Sequence, residues 1–400
     1  MKVVIAPDSF KGCLSASQVA RSMAAGIVAA CPQARVELCP MADGGEGTVE
    51  AMVSATGGRF LSADVYNPLG QEIRARFGIL GRGSDSILPG EVGLAAISSG
   101  SVDTADGLKS VAVIEMAAAS GLELVPGDRL DPARATTYGT GQLIAAAMDE
   151  GVREVILGIG GSATVDCGFG CMQALGVEFF DRKGEKCVRG MGGGELAAVA
   201  FVDIKGLDPR LKSLRIRVAC DVNNPLTGSN GAAMVYGPQK GADPDCVRKL
   251  EAGLVNAASI LKQQFGTDVG NLEGAGAAGG LGAGLAAMAG AKLENGGKLV
   301  AEAVELESRI KGADLCLTGE GRFDSQSSSG KVPFRVASIA GKHGIPTVCI
   351  AGTTSLKGPN RLFHEIRSLV SNGVSTKKAI VDAENLLAKL AGEIVNDFLG

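Results

Sequence analysis

Four loops that combine glycines with carboxylates or hydroxyls constrain this chain more than anything else in it. They read ADGGEGT at 42–48, GIGGSATVDCGFG at 158–170, GAGAAGGLGAG at 274–284 and TGEGRFDSQSSSGK at 318–331. Three of them follow a short apolar, β-rich run, and helical periodicity resumes beyond. Strand, glycine turn, helix, repeated, is the pattern of a parallel sheet with helices on its faces. Ligands of such folds bind beyond the carboxyl ends of the strands. Glycine lets backbone N–H groups approach a ligand closely, and successive amides form an anion nest. A carboxylate beside such a nest can hold a divalent cation, so the combination points to phosphate and metal met together. The plainer alternative is that 59 glycines in 400 residues merely supply turns.

The same pattern sets the domain organisation. Residues 2–6 and 34–40 predict two strands, with helices over 15–31 and about 47–56. From 59 to 83 apolar and polar residues alternate around an Asn-Pro-Leu-Gly turn, which predicts antiparallel hairpin strands. The stretch 83–107 is rich in Gly, Ser and Asp and reads as an exposed excursion. Strands are expected at 111–124 and 153–161, with a helix at about 137–150 between them. Beyond 290, helices at 299–311, 332–342 and 376–398 interleave with strands at 313–321 and 345–352, and 363–370 reads as a strand or short helix. Two strands from the front and three from the back make one doubly wound α/β sheet. The expected division is residues 1–64 with 291–400 as one discontinuous unit, and 65–290 as an inserted α/β domain. Gly290, Gly296 and Gly297 in the second crossing suggest a hinge.

Composition excludes several classes. A net charge of −4 without a basic block argues against nucleic acid. The start, MKVVIAPDSF, lacks the apolar length of a signal peptide, and 274–290 is too glycine-rich for a membrane span. A cytoplasmic enzyme is the expectation, with a homodimer left open. The ten cysteines form no C-x-x-C pair and read as free thiols of a reducing compartment. With only two histidines, a His-based triad or zinc site is improbable, and proton transfer falls to carboxylates or lysines.

Candidate site residues cluster at the expected strand ends. Asp8, Ser9 and Lys11 follow the first strand; Asp43, Gly44, Gly45 and Glu46 follow the second. Gly160, Gly161, Ser162 and Asp166 lie in the second loop, and Gly276, Gly279 and Gly280 in the third. Asp221 and Asn224 end the run RIRVACD, and Lys240 lies in GPQKGA. Glu320, Asp324, Ser325, Gln326 and Lys331 fill the fourth loop. Helix caps and solvated turns explain many of these residue types equally well.

Two motifs are decoys. The run GRFDSQSSSGK at 321–331 lacks the first glycine and the final hydroxyl of a P-loop. VILGIGGSA at 155–163, with Asp181 further on, imitates a dinucleotide fingerprint and leaves a nicotinamide-dependent hydroxy-acid oxidoreductase as an alternative. Unless a cation intervenes, Asp166 would repel a pyrophosphate there.

Taken in order, APDSFKG (6–12), ADGGEGT (42–48), EMAAASGL (115–122), TTYGTG (136–141), GIGGSAT (158–164), ACDVNNPL (219–226), GPQKGA (237–242), GAGAAGGLG (274–282) and TGEGRFDSQS (318–327) resemble the type-1 glycerate kinase family over nearly the whole chain. The resemblance implies a flavodoxin-like domain interrupted by an insert likened to restriction-endonuclease folds. It also implies ATP- and Mg²⁺-dependent phosphorylation of D-glycerate, with 2-phosphoglycerate as the expected product. On that basis Asp43, Asp166, Lys11 and Lys240 are expected to be catalytic, Asp221 and Asp324 to hold metal, and the remaining loop residues to bind nucleotide and substrate. Cys13, Val165 and Cys167 depart from the residues usual in the family, and the 83–107 excursion is longer than expected.

Overall fold

The computed structural model describes residues 1–81, 85–87 (backbone), 110–324, 331–355, 361–371 and 374–400. Along the chain the strands are β1 (Lys2–Ile5), β2 (Arg35–Leu38), β3 (Arg59–Tyr66), β4 (Glu72–Ile79), β5 (Asp85–Ile87), β6 (Val111–Glu115) and β7 (Glu154–Gly158). They continue with β8 (Glu178–Asp181), β9 (Val199–Asp203), β10 (Arg215–Ala219), β11 (Lys292–Glu294), β12 (Leu315–Phe323), β13 (Thr347–Thr354) and β14 (Glu365–Ser368). The first sheet has the order β14-β13-β12-β1-β2-β5 and the second β11-β10-β7-β6-β4-β3, while β8 and β9 form a separate hairpin.

The five expected strands of the first sheet all pair in parallel, and β5 adds an antiparallel edge beside β2. The excursion at 83–107 therefore contributes a strand to the first sheet; its other residues, save Asp85–Ile87, lie outside the described ones. Val3, Val4 and Ile5 of β1 are fully buried, as a central strand covered on both faces requires. The covering helix Ala16–Ala30 starts with a Ser15–Gln18 capping box and packs on Ala383–Leu399. A methyl on Gly26 would fall 1.8 Å from the Ala388 carbonyl oxygen, so only glycine allows this helix contact.

In the second sheet β6, β7, β10 and β11 are parallel, and the expected β3–β4 hairpin is antiparallel. The strands β3 and β11 both belong here, so sheet membership puts the crossings a few residues outside 64/65 and 290/291. The reason is local. The helix Thr48–Thr56 ends on Gly57 in the left-handed region, and β3 begins two residues later, at Arg59.

Three further differences have visible causes. The expected helix over 299–311 is two, Gly296–Ala303 and Leu306–Ile310, broken at Glu305 with φ +53°, where Arg309 Nε donates to the Val304 carbonyl. The closing helix is likewise interrupted at Asp382. A 22-residue helix, Pro244–Phe265, stands where the sequence reading assigns no element, although Asp243 caps it and Gly266 ends it.

Besides its own core, each sheet contributes to one shared cluster. Met52 and Val53 of the helix Thr48–Thr56 pack with Val4 and Met41 of the first unit and with Val113, Ile156 and Ala219 of the second sheet. Leu299 and Val300 complete that cluster from the helix Gly296–Ala303.

Candidate functional site

The carboxyl ends of the parallel strands in both sheets open into clefts, each about 320–330 Å³, and Asp43 lines both. Hydrogen bonds fix the strand ends of the first sheet against each other. Asp8 N donates to the Gly319 carbonyl and Met41 N to the Pro7 carbonyl, at 2.8 and 2.9 Å, so the end of β1 is held to the middle of β12 and to the loop after β2. Gly44 (φ +95°) turns the chain beside Asp43, whose Oδ1 accepts from Gly45 N at 3.1 Å. Glu115 at the end of β6 accepts from Val49 N at 2.8 Å and so caps the helix Thr48–Thr56.

The first cleft has a charged end and an apolar end. Asp8, Lys11, Glu320, Arg322 and Lys331 line the charged end together with Asp43. Burial, reinforced by the charge of Asp43, pushes Asp8 up to about 7, against a backbone N–H from Ser9. Glu320 is buried and pairs with Lys331 at 3.3 Å. Phe10, Leu369, Val370, Ala379 and Ile380 form the apolar end. Cys13 also lines this cleft.

The second cleft is narrower in chemistry. Gly160, Gly161 and Ser162 come from the end of β7, Asp221 from the end of β10, and Lys240 from the GPQKGA turn. Lys240 is fully buried, and its Nζ donates to Ser162 Oγ and the Thr164 carbonyl, both at 2.7 Å. Burial pulls it down to about 7, with Asp166 opposing. Asp221 is exposed to the cleft, and burial of its inner side raises it, against a hydrogen bond from Gly296 N.

Several expectations are corrected by this geometry. Asp166 reaches neither cleft: it is fully buried and accepts from Thr137 N, Thr137 Oγ1 and Gly168 N at 2.7, 2.7 and 3.1 Å. It ties the start of the helix Tyr138–Asp149 to its own loop. Gly276, Gly279 and Gly280 also stand apart from both clefts. Methyls there would fall 2.2 Å from Pro225 O, 2.1 Å from Thr164 O and 2.7 Å from Leu226 Cδ1, so these glycines permit packing, and Ala277 and Ala278 reach the cleft instead. Asn224 lies behind the wall and orients Tyr236, whose hydroxyl donates to Asn224 Oδ1 at 2.7 Å. Asp221 and Asp324 are not brought together; Asp324 lines neither cleft and pairs with Arg322 at 3.2 Å. Glu46 is exposed and lines neither cleft. Ser325 and Gln326 lie outside the described residues.

Gly296 and Gly297 are close-approach positions. Methyls would fall 2.1 Å from the Asp43 carbonyl oxygen and 2.9 Å from Arg335 Nε. The dinucleotide fingerprint fails on geometry as well. After β7 the next helix begins only at Phe169, and Asp181 lies in β8, which pairs antiparallel with β9 outside the parallel sheet. Sequence reasoning misses Tyr236, Arg322, Thr353 and the apolar end of the first cleft, whose residues come from distant segments without a shared motif.

Fold and clefts together define an α/β protein with two clefts that share Asp43. Residues 3–399 match the glycerate kinase family. The chain is 43% identical over 396 residues, 98% of its length and 97% of the relative's, to a glycerate kinase of Halalkalibacterium halodurans. It is 47% identical to a glycerate 2-kinase of Escherichia coli K12, covering 88% of this chain and 85% of that one. A crystal structure described as a glycerate kinase 2 of Salmonella typhimurium LT2 superposes with a TM-score of 0.85 at 41% identity, over 100% of this chain and 98% of the other. The chain belongs to the glycerate kinase family and is a phosphotransferase. Among the described residues no helix is long and apolar enough to cross a membrane.

Proposed function

We propose that the chain transfers the terminal phosphoryl group of ATP to the 2-hydroxyl of D-glycerate, with 2-phosphoglycerate and ADP as products. The observation that carries this reading is that one acid, Asp43, lines both clefts where the strand ends of two sheets meet. A reaction between two bound molecules needs two sites with a shared reacting point. Charge assigns them. Lys11, Arg322 and Lys331 line the first cleft, which suits a triphosphate, and its apolar end suits a planar base. Lys240, Ser162 and the amides of Gly160 and Gly161 suit a small hydroxy acid with one carboxylate in the second cleft. The name of the E. coli relative supports the 2-position.

In this reading Asp43 accepts the proton of the attacking hydroxyl as its oxygen bonds to phosphorus and the bond to ADP breaks. Lys240 holds the glycerate carboxylate, and Lys11 and Lys331 offset charge on the phosphates. Among the described residues no three His, Cys, Asp or Glu side chains converge to hold an ion alone. Mg²⁺ keeps waters and binds through one or two carboxylates plus substrate phosphates. Asp8 and Glu320 are the side chains that would hold it, where it would neutralise phosphate charge. The roles of Asp166 and Asp324 are then structural. The division into a discontinuous outer unit and an insert, and a cytoplasmic location, belong to the same proposal.

ADP release on adding glycerate to enzyme and ATP tests the activity, and phosphorus NMR of the product separates 2- from 3-phosphoglycerate. ADP release with no dependence on glycerate would overturn the reading.

A further inference from the structure

Asp221 is tied to the start of the helix Gly296–Ala303 by hydrogen bonds. Its Oδ1 accepts from Asn295 Nδ2 at 2.6 Å and from Gly296 N at 3.0 Å. Asn295 Oδ1, which also caps the helix Gly296–Ala303 through Lys298 N, accepts from Arg335 Nη2 at 2.5 Å. Arg335 lies one turn into the helix Val332–Lys342, directly after Lys331 of the first cleft. Its Nε is buried and has no hydrogen-bond partner among the described residues. A buried, unpaired donor on a cation is costly and persists when the surroundings over-determine it. Here Gly297 leaves the room, since a methyl there would meet that Nε at 2.9 Å. Behind the strap, Arg217 binds Glu294 and Glu302 at 2.6–2.7 Å and anchors the helix that Asn295 caps.

We propose that Arg335 and Asn295 are positioning residues of the phosphoryl-transfer site, acting as one chain that aims the Asp221 carboxylate into the second cleft and keeps it in register with the first. The inference rests on the assignment of the two clefts under Proposed function. A carboxylate at the end of an isolated strand samples several rotamers, and misplacement of about 1 Å costs on the order of 10²-fold in rate. Gly296 N and Asn295 fix Asp221 from one side only. Arg335 fixes Asn295 in turn, so that its amide nitrogen faces Asp221 and its oxygen faces the guanidinium. Neither residue touches either cleft, so each is expected to act on turnover rather than on nucleotide binding.

The test is a cycle of R335M, N295S and the double variant, with R335K as the conservative control. Serine keeps the helix cap while dropping both side-chain amide bonds. Each single variant is expected to lower kcat about tenfold, with KM for ATP within about twofold of wild type. Because the residues form one chain, the double variant should fall no more than about twofold below the singles. R335K, which restores a donor on a shorter reach, should recover part of the loss. Additive losses near a hundredfold, unchanged kcat in both singles, or a loss wholly in KM for ATP would overturn the strap. If R335M proves unstable, N295S against R335K decides the same question from kcat and KM. Wild-type ADP release is measured first, so that failure of the glycerate reading is seen separately from failure of the strap.

Discussion

The two clefts solve the problem of holding small anions in opposite ways. The first keeps its cations, Lys11, Arg322 and Lys331, in solvent and draws its acids inward, Glu320 wholly and Asp8 in part, so that Asp8 rises to about 7. The second buries its cation, Lys240, and leaves its acid, Asp221, open to solvent. Walls differ too. In the second cleft they are backbone pressed on backbone: a methyl on Gly158 would fall 2.6 Å from Gly44 O, and one on Gly160 would fall 3.0 Å from Gly45 Cα. Exposed charges on long side chains adapt to a large flexible ligand, whereas buried charge and packed glycines give a small rigid site. Asp43 stands where the adaptable half meets the rigid one.

The sharpest break of this comparison is Asp43→Asn. Loss of a general base lowers kcat by about 10²–10⁴-fold. Thermal unfolding should move little, since the side chain keeps the hydrogen bond from Gly45 N. Full activity at saturating Mg²⁺ would reduce Asp43 to a turn residue and separate the clefts chemically.

Asp166→Ala probes the rigid half alone. It leaves two backbone N–H groups and a hydroxyl without their acceptor, at roughly 1–3 kcal/mol each. A clear drop in melting temperature with unchanged KM for both substrates is expected. A loss of nucleotide binding at unchanged stability would return Asp166 to the site.

A smaller effect tests which anion each cleft takes. Lys331→Ala should raise KM for ATP about tenfold and leave KM for glycerate alone, and Lys240→Met should do the reverse. Exchange of the two outcomes would swap the ligands.

The smallest effect is linkage at Lys240. Its pKa is about 7 folded against 10.5 unfolded, so the unfolded chain binds more protons between those values. Stability from this group is therefore present above pH 10.5 and lost as pH falls towards 7. The melting temperature of wild type minus that of Lys240→Met should rise by a few degrees from pH 7 to pH 10. A flat difference would mean that Lys240 keeps its ordinary pKa.

What the sequence reveals is uneven, for physical reasons. The five parallel strands and the β3–β4 hairpin are legible because apolar runs such as VVIA are cut by unmistakable turn residues. Asp8, Asp43 and Ser162 are legible as residues beyond strand ends, and Glu320 as an acid near the expected end of a strand that in fact runs on to Phe323. The meaning of the glycines is not: a glycine signals that a side chain does not fit, not whether ligand or backbone fills the space. At Gly276 and Gly279 it is backbone. Asp166 misleads for a related reason, since an acid beside a glycine turn can point outward to metal or inward to Thr137. Arg335 and Asn295 are 40 residues apart and carry no shared pattern, so only the fold joins them. The helix Pro244–Phe265 escapes a reading that follows the glycine loops, although its Asp-Pro start and Gly end are plain in the sequence.

The pairing of β1 with β12 has a consequence for how the chain is made. Val3 lies beside Leu315 and Val36 in the sheet, so on the ribosome β1 has only β2 for company until more than 300 residues have emerged. Every strand of the second sheet, Arg59 to Glu294, is synthesised in that interval. Domains generally fold as units during translation. The second sheet is thus expected to become protease-resistant on nascent chains stalled near residue 330, while Val3–Ile5 remain uncovered. Resistance appearing only on release of the finished chain would mean that the two halves fold together. Until then the apolar front end is the part most in need of a chaperone.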